Sequence, residues 1–99
     1  MVKLLVLYGY PEDPEAFERH YEKTHLPLAR RIPGLRRLEV AKTVASDGEI
    51  PTYYRSASLY FDSLEELQAG LASNEGQASG ADAVSIATGG IDRMVFEVS

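Results

Sequence analysis

Apolar residues alternate along the first eight positions. Val2, Leu4, Val6 and Tyr8 fall on one side of an extended chain and Leu5 and Leu7 on the other, which predicts a strand covered on both faces. From Pro14 the spacing lengthens. Phe17, Tyr21 and Thr24 recur at i, i+4 and i+7, the buried stripe of a helix that runs to about Thr24. Asp13 suits its N-cap and Pro14 its first position. Pro27 has no N–H and biases Leu26 away from helical geometry, so the pattern predicts a break at His25–Leu26 and then a short helical turn from Pro27 to Ile32. Pro33-Gly34 ends that turn.

Alternation returns at Leu35. A second strand from Leu35 to Val44 places Leu38, Val40 and Val44 on one face, and Ser46-Asp47-Gly48-Glu49 makes the turn after it. Tyr53 to Phe61 reads as a third strand. Ser63 and Glu66 form a capping box ahead of a second helix with Leu64, Leu67 and Leu71 as its stripe. A further short helix is expected around residues 77–86. Gly89-Gly90 breaks it, and Ile91 to Val98 gives a fourth strand with Met94, Phe96 and Val98 on one face. The order β-α-β-β-α-β over one domain, residues 1–99, predicts a ferredoxin-like α+β fold: a four-stranded antiparallel sheet with both helices on one face. The opposite face keeps apolar residues that a second copy of the chain would cover, so a homodimer is expected.

Composition narrows the function classes. The chain has no cysteine, which excludes disulfides, thiolate metal sites and a cysteine nucleophile. Ten Lys and Arg stand against fifteen Asp and Glu, and a net charge of −5 argues against a nucleic-acid partner. The longest apolar run, Leu4 to Leu7, is far short of a membrane span, and no signal-peptide architecture precedes it. A cytoplasmic domain without a membrane partner is therefore expected. His20 and His25 lie five residues apart, ~140° on a straight α-helix, and make no i,i+4 metal pair. No phosphate-cradling glycine loop occurs. Neither a metal nor a nucleotide cofactor is expected.

Three stretches resemble one known family. They are the Pro-x-Asp-Pro-x-x-Phe of residues 11–17, the His-Tyr-x-x-Thr-His-x-Pro-Leu of residues 20–28, and the Pro33-Gly34-Leu35 that follows. Residues 59–65 and 76–82 add to the likeness, which covers nearly the whole chain. The chain resembles the EthD family, named for ethyl tert-butyl ether degradation. The resemblance implies a dimeric α+β barrel. It implies little about the reaction, since relatives of this fold include cyclases, isomerases, decarboxylases, dehydratases and cofactor-free monooxygenases.

His25 matches the family's His-x-Pro-Leu element and is the candidate catalytic residue, an imidazole that titrates near neutrality. The alternative is that it caps the helix break before Pro27; the two roles are compatible. His20 reads as a packing or hydrogen-bonding residue. Tyr8 and Tyr60 each end a strand, and with Phe17 and Tyr21 they are the candidate contacts to a mostly apolar or aromatic small molecule. Tyr53 and Tyr54 read as ordinary strand aromatics. Arg30, Arg31, Arg36 and Arg37 form a basic cluster that reads as a solvated helix end or, less simply, a carboxylate site. Ser56 and Ser58 have no matched base. Asp82 reads as a partner for an arginine or a cap near Gly80. The function these residues predict is binding of an apolar ligand with acid–base chemistry such as cyclisation, isomerisation or dehydration, or an oxidation. The alternatives are a non-catalytic accessory protein of an oxidoreductase degradation system and a structural or stress-related dimer.

Overall fold

β1, Val2–Tyr8, is an interior strand of the sheet, paired along both of its edges. The computed structural model describes residues 1–99. β2 is Arg37–Lys42, β3 is Arg55–Phe61 and β4 is Ile91–Glu97; the order across the sheet is β2-β3-β1-β4 and every neighbouring pair is antiparallel. Opposite residues share a face. Leu4 stands against Leu59 and Val95, Val6 against Ala57 and Arg93, and Tyr8 against Arg55 and Ile91; this face carries the helices. Leu5, Leu7, Tyr60, Met94 and Phe96 lie on the other face, which no element of the chain covers. The fold is the ferredoxin-like α+β arrangement that the element order predicts.

Three strands are shorter than their alternation suggests, β4 by Val98 alone. Ladder pairing between β2 and β3 stops at Lys42 and Arg55, so Val44 projects into solvent and Tyr53 and Tyr54 precede β3. The turn into β4 needs a positive φ, and Gly90 supplies it at 100°.

The largest departure is helical. α1, Pro14–His20, begins as predicted, with the Asp13 side chain accepting the Ala16 N–H at 3.1 Å. No break follows. A π turn, Tyr21–His25, carries the helix directly into α2, Leu26–Ala29. Leu26 keeps helical angles in front of Pro27 and donates its N–H to the Tyr21 carbonyl, five residues back. Widening the helix by one residue absorbs the disturbance of the hydrogen-bond ladder that proline causes. The buried stripe changes with it: Phe17, Tyr21 and His25 point inward and Thr24 is exposed.

α3, Leu64–Ala72, and α4, Asn74–Ile86, meet at a tight corner. Ser63 caps the first through the Glu66 N–H, and Ser73 caps the second through the Gly76 N–H. A Cβ at Gly76 would collide with the Gly70 carbonyl, so the glycines let the two helices approach. α4 starts three residues earlier than its sequence pattern suggests, because Ser73 provides the cap. Of the predicted stripe, Leu67 is buried, Leu71 half-buried and Leu64 exposed. Tyr8, Tyr21 and Phe61 are the largest fully buried side chains and mark the centre of the core. No helix is long and apolar enough to cross a membrane.

Candidate functional site

Between the sheet and the helices lies a cavity of about 560 Å³. That is the size range of small-molecule sites. Leu4, Val6, Ala57 and Leu59 of the sheet form its floor, Tyr21, His25 and Leu26 one wall, and Ser79 and Ala83 of α4 the other. Most of this surface is aliphatic or aromatic, because it is the helix-side face of an interior strand meeting the small residues of α4.

His25 sits in the wall, 5% exposed. Its Nδ1 lies 2.9 Å from Oδ2 of Asp82, and Oδ1 of the same carboxylate lies 2.7 Å from Nε2 of His20. Asp82 thus joins two histidines that a straight helix would hold on different flanks. In a π turn, residue i+5 stands where i+4 stands in an α-helix, so His20 and His25 reach the same side. The expectation that the two lie apart is corrected on that ground, and so is the expectation that His25 caps a broken helix: its side chain makes no capping bond. Asp82 neither pairs with an arginine nor caps a turn.

The hydrogen bond to Asp82 sets the tautomer of His25. Nδ1–H donates to the carboxylate, and Nε2, which has no partner within the protein, carries the lone pair. Burial pulls the His25 pKa below that of a free imidazole, with Asp82 partly opposing. The ring is therefore neutral near pH 7.

Tyr8 lines the same cavity, and its hydroxyl has no hydrogen-bond partner in the chain. Burial pushes this phenol well up, and Tyr21 and Asp82 add to the effect, so it is a neutral donor. The Tyr21 hydroxyl is buried without a partner and is also pushed up by burial. The Tyr21 ring lies 4.5 Å from the guanidinium of Arg55. Glu18 fixes that arginine: its Oε1 accepts from Arg55 at 2.8 Å and from Lys42 at 3.1 Å, and its Oε2 accepts from the Tyr54 hydroxyl at 3.2 Å. Burial tends to raise the Glu18 carboxyl, but Lys42 and Arg55 outweigh it and hold it below the usual range.

Of the predicted contacts, Tyr8, Tyr21 and His25 meet in the cavity. Phe17 does not reach it: its ring stacks on Tyr21 at 5.4 Å and meets Tyr8 edge-on at 5.4 Å, supporting the wall from behind. Tyr60 does not line this cavity either. It pairs across the ladder with Lys3 rather than with Leu4, so strand alternation turns it to the open face, where the Arg37 guanidinium covers it at 4.4 Å. Ser58 shares that open face, and Ser56 lies beyond it on the same side. Arg36 pairs with Asp62 and Arg37 with Glu39, and none of Arg30, Arg31, Arg36 and Arg37 lines the cavity. The cation in the wall is Arg93, which β4 alternation places on the helix side while Met94 and Phe96 face away.

A family model described as EthD domain matches residues 10–89. An uncharacterised 11.0 kDa protein of the thcB-thcC intergenic region of Rhodococcus erythropolis is 40% identical over 94 residues, which span 95% of this chain and 91% of that one. The crystal structure of an ethyl tert-butyl ether d (EthD) family protein from Bacillus halodurans C-125 is 42% identical with a TM-score of 0.95, over 100% of this chain and 99% of that one. A dimeric ferredoxin-like protein of unknown function from Jannaschia sp. CCS1 shares the fold, with a TM-score of 0.75 at 24% identity over 98% of each chain.

Proposed function

The chain belongs to the EthD family, and within it we propose that this protein binds a mostly apolar, ring-sized molecule in the cavity and moves a proton on it with His25. The bond from Asp82 to His25 Nδ1 carries this reading, because it leaves Nε2 as a basic nitrogen in the wall of an apolar cavity. The fitting reaction is abstraction of an acidic C–H or O–H proton, for example from the carbon next to an aromatic ketone. Nε2 takes the proton, and Asp82 stabilises the imidazolium that forms. Return of the proton to another atom completes an isomerisation. Its return to a hydroxyl leaving group, which departs as water, completes a dehydration. General acid–base transfer of this kind contributes about 10²–10⁴-fold. In the same reading the protein acts as a homodimer, joined through the open face of the sheet, where Met94 and Phe96 are exposed and Leu5 and Leu7 half-buried.

Deuterium uptake tests the chemistry. 2-Tetralone in D₂O exchanges the protons next to its carbonyl slowly in buffer, and NMR follows the loss. The protein should speed the exchange by about 10²-fold or more, and His25→Gln should abolish the gain. Ligand-dependent shifts at Tyr8 and His25 without any exchange would remove the acid–base step and leave a binding protein, the accessory role.

A further inference from the structure

Arg93 is the one permanently charged side chain in the cavity wall. It stands on the helix side of β4 opposite Val6, diagonal to Tyr8, whose own partner on β4 is Ile91. Diagonal neighbours across a ladder lie ~7–8 Å apart, within reach of long side chains. Arg36, Arg37, Lys42 and Arg55 each hold a carboxylate; Arg93 holds none, and among the cations without one it alone lines the cavity. Asp82, which holds His25 in the wall, has both oxygens committed to histidines. A protein of net charge −5 thus leaves a guanidinium unpaired beside an unpartnered hydroxyl at the edge of an otherwise apolar cavity.

We propose that Arg93 and the Tyr8 hydroxyl form an anion-binding end of this cavity, and that its ligand is an apolar acid, a ring or short chain bearing one carboxylate; this builds on the cavity reading above. A guanidinium offers two parallel N–H groups that match the two carboxylate oxygens, and the hydroxyl can bond the same group. The apolar remainder then lies over Leu4, Val6 and Leu59, between the anion end and His25. The carboxylate fixes the direction in which the molecule enters and hence which of its protons meets Nε2.

Isothermal titration with 2-naphthoate and with its neutral methyl ester separates the anion end from the cavity. Wild-type protein should bind the acid at least about tenfold more tightly than the ester. Arg93→Gln should lose that preference while keeping the ester affinity and the melting temperature, since Arg93 is exposed and pairs with nothing in the chain. Arg93→Lys should fall between, keeping the charge and losing the fork. Added salt should weaken the acid and spare the ester. A wild type indifferent to the charge, or an Arg93→Gln variant that keeps the preference, overturns the anion end and leaves the cavity reading standing. A wild type that takes up neither probe overturns both.

Discussion

His25 stacks on Tyr21 with ring centroids 5.4 Å apart and planes 26° from parallel. Tyr21 stacks in turn on Phe17, 5.4 Å away with planes at 15°. Three rings spaced i, i+4 and i+8 thus form a column along the inner side of the helix. The column holds the imidazole by packing and Asp82 holds it by one nitrogen. A group with both constraints keeps a single orientation without a bound ligand, which is the preorganisation that proton transfer needs.

Removing His25 should cost both stability and function. His25→Ala loses the stack and the bond to Asp82, and should lower unfolding free energy by about 1–3 kcal/mol. His25→Phe keeps an aromatic ring on Tyr21 and should recover part of that loss. Neither variant should catalyse exchange. Urea titrations of the two variants, run beside the deuterium assay, separate the packing role from the chemical one. A His25→Phe protein with wild-type exchange rates would remove the imidazole from the mechanism.

Asp82 is the test of how the ring is set. Its carboxylate opposes the effect of burial on His25, so Asp82→Asn should move the His25 titration still lower. The same change should let both ring tautomers populate, visible in the nitrogen shifts of a labelled sample. Loss of charge at two hydrogen bonds should also destabilise the protein by about 1–3 kcal/mol. An unchanged His25 titration in Asp82→Asn would mean that the carboxylate does not govern the ring.

What the sequence revealed and what it hid divide by range. Caps are local: Asp13, Ser63 and Ser73 each act on an N–H three residues on, and two of the three are plain in the pattern. The strands are visible because alternation is local too. The ends of β2 and β3 depend on where two distant segments stop pairing, which no single segment records. The face that Tyr60 takes depends on ladder register in the same way. Asp82 is the clearest case. It lies 57 residues from His25, in a stretch of Ala, Ser and Gly with weak periodicity, and only the π turn brings His20 to the same carboxylate. The signal that was available is that Asp82 is the one acidic residue between Glu75 and Asp92.

The proposed homodimer rests on the open sheet face. Leu5 and Met94 oppose each other there, with Leu7 and Phe96 beside them, and Met94 and Phe96 are each 41% exposed. Light scattering at micromolar concentration should give about twice 10.9 kDa. Paired Leu5→Glu and Met94→Glu substitutions place two like charges across one ladder position and should give the monomer mass. A monomeric wild type would contradict the homodimer, and a double variant that stays dimeric would move the contact elsewhere.

Acid should weaken the fold in two stages, and the sign of each follows from its direction. Folded His25 titrates below 6.5, so the unfolded chain takes up that proton first as pH falls. The unfolded state then binds more protons than the native one, and stability drops from about pH 6.5 down to the lower native value, below which this contribution is flat. Glu18 is held below its ordinary 4.5 by Lys42 and Arg55, against the pull of burial. Its contribution is present above about pH 4.5 and is lost as pH falls through that value towards the native one. Urea midpoints measured from pH 8 to about pH 3 should therefore fall in two steps. His25→Gln should flatten the upper step and leave the lower, while Glu18→Gln should do the reverse at a lower overall stability. An upper step that survives His25→Gln unchanged would assign it to another group and would count against a buried, neutral His25.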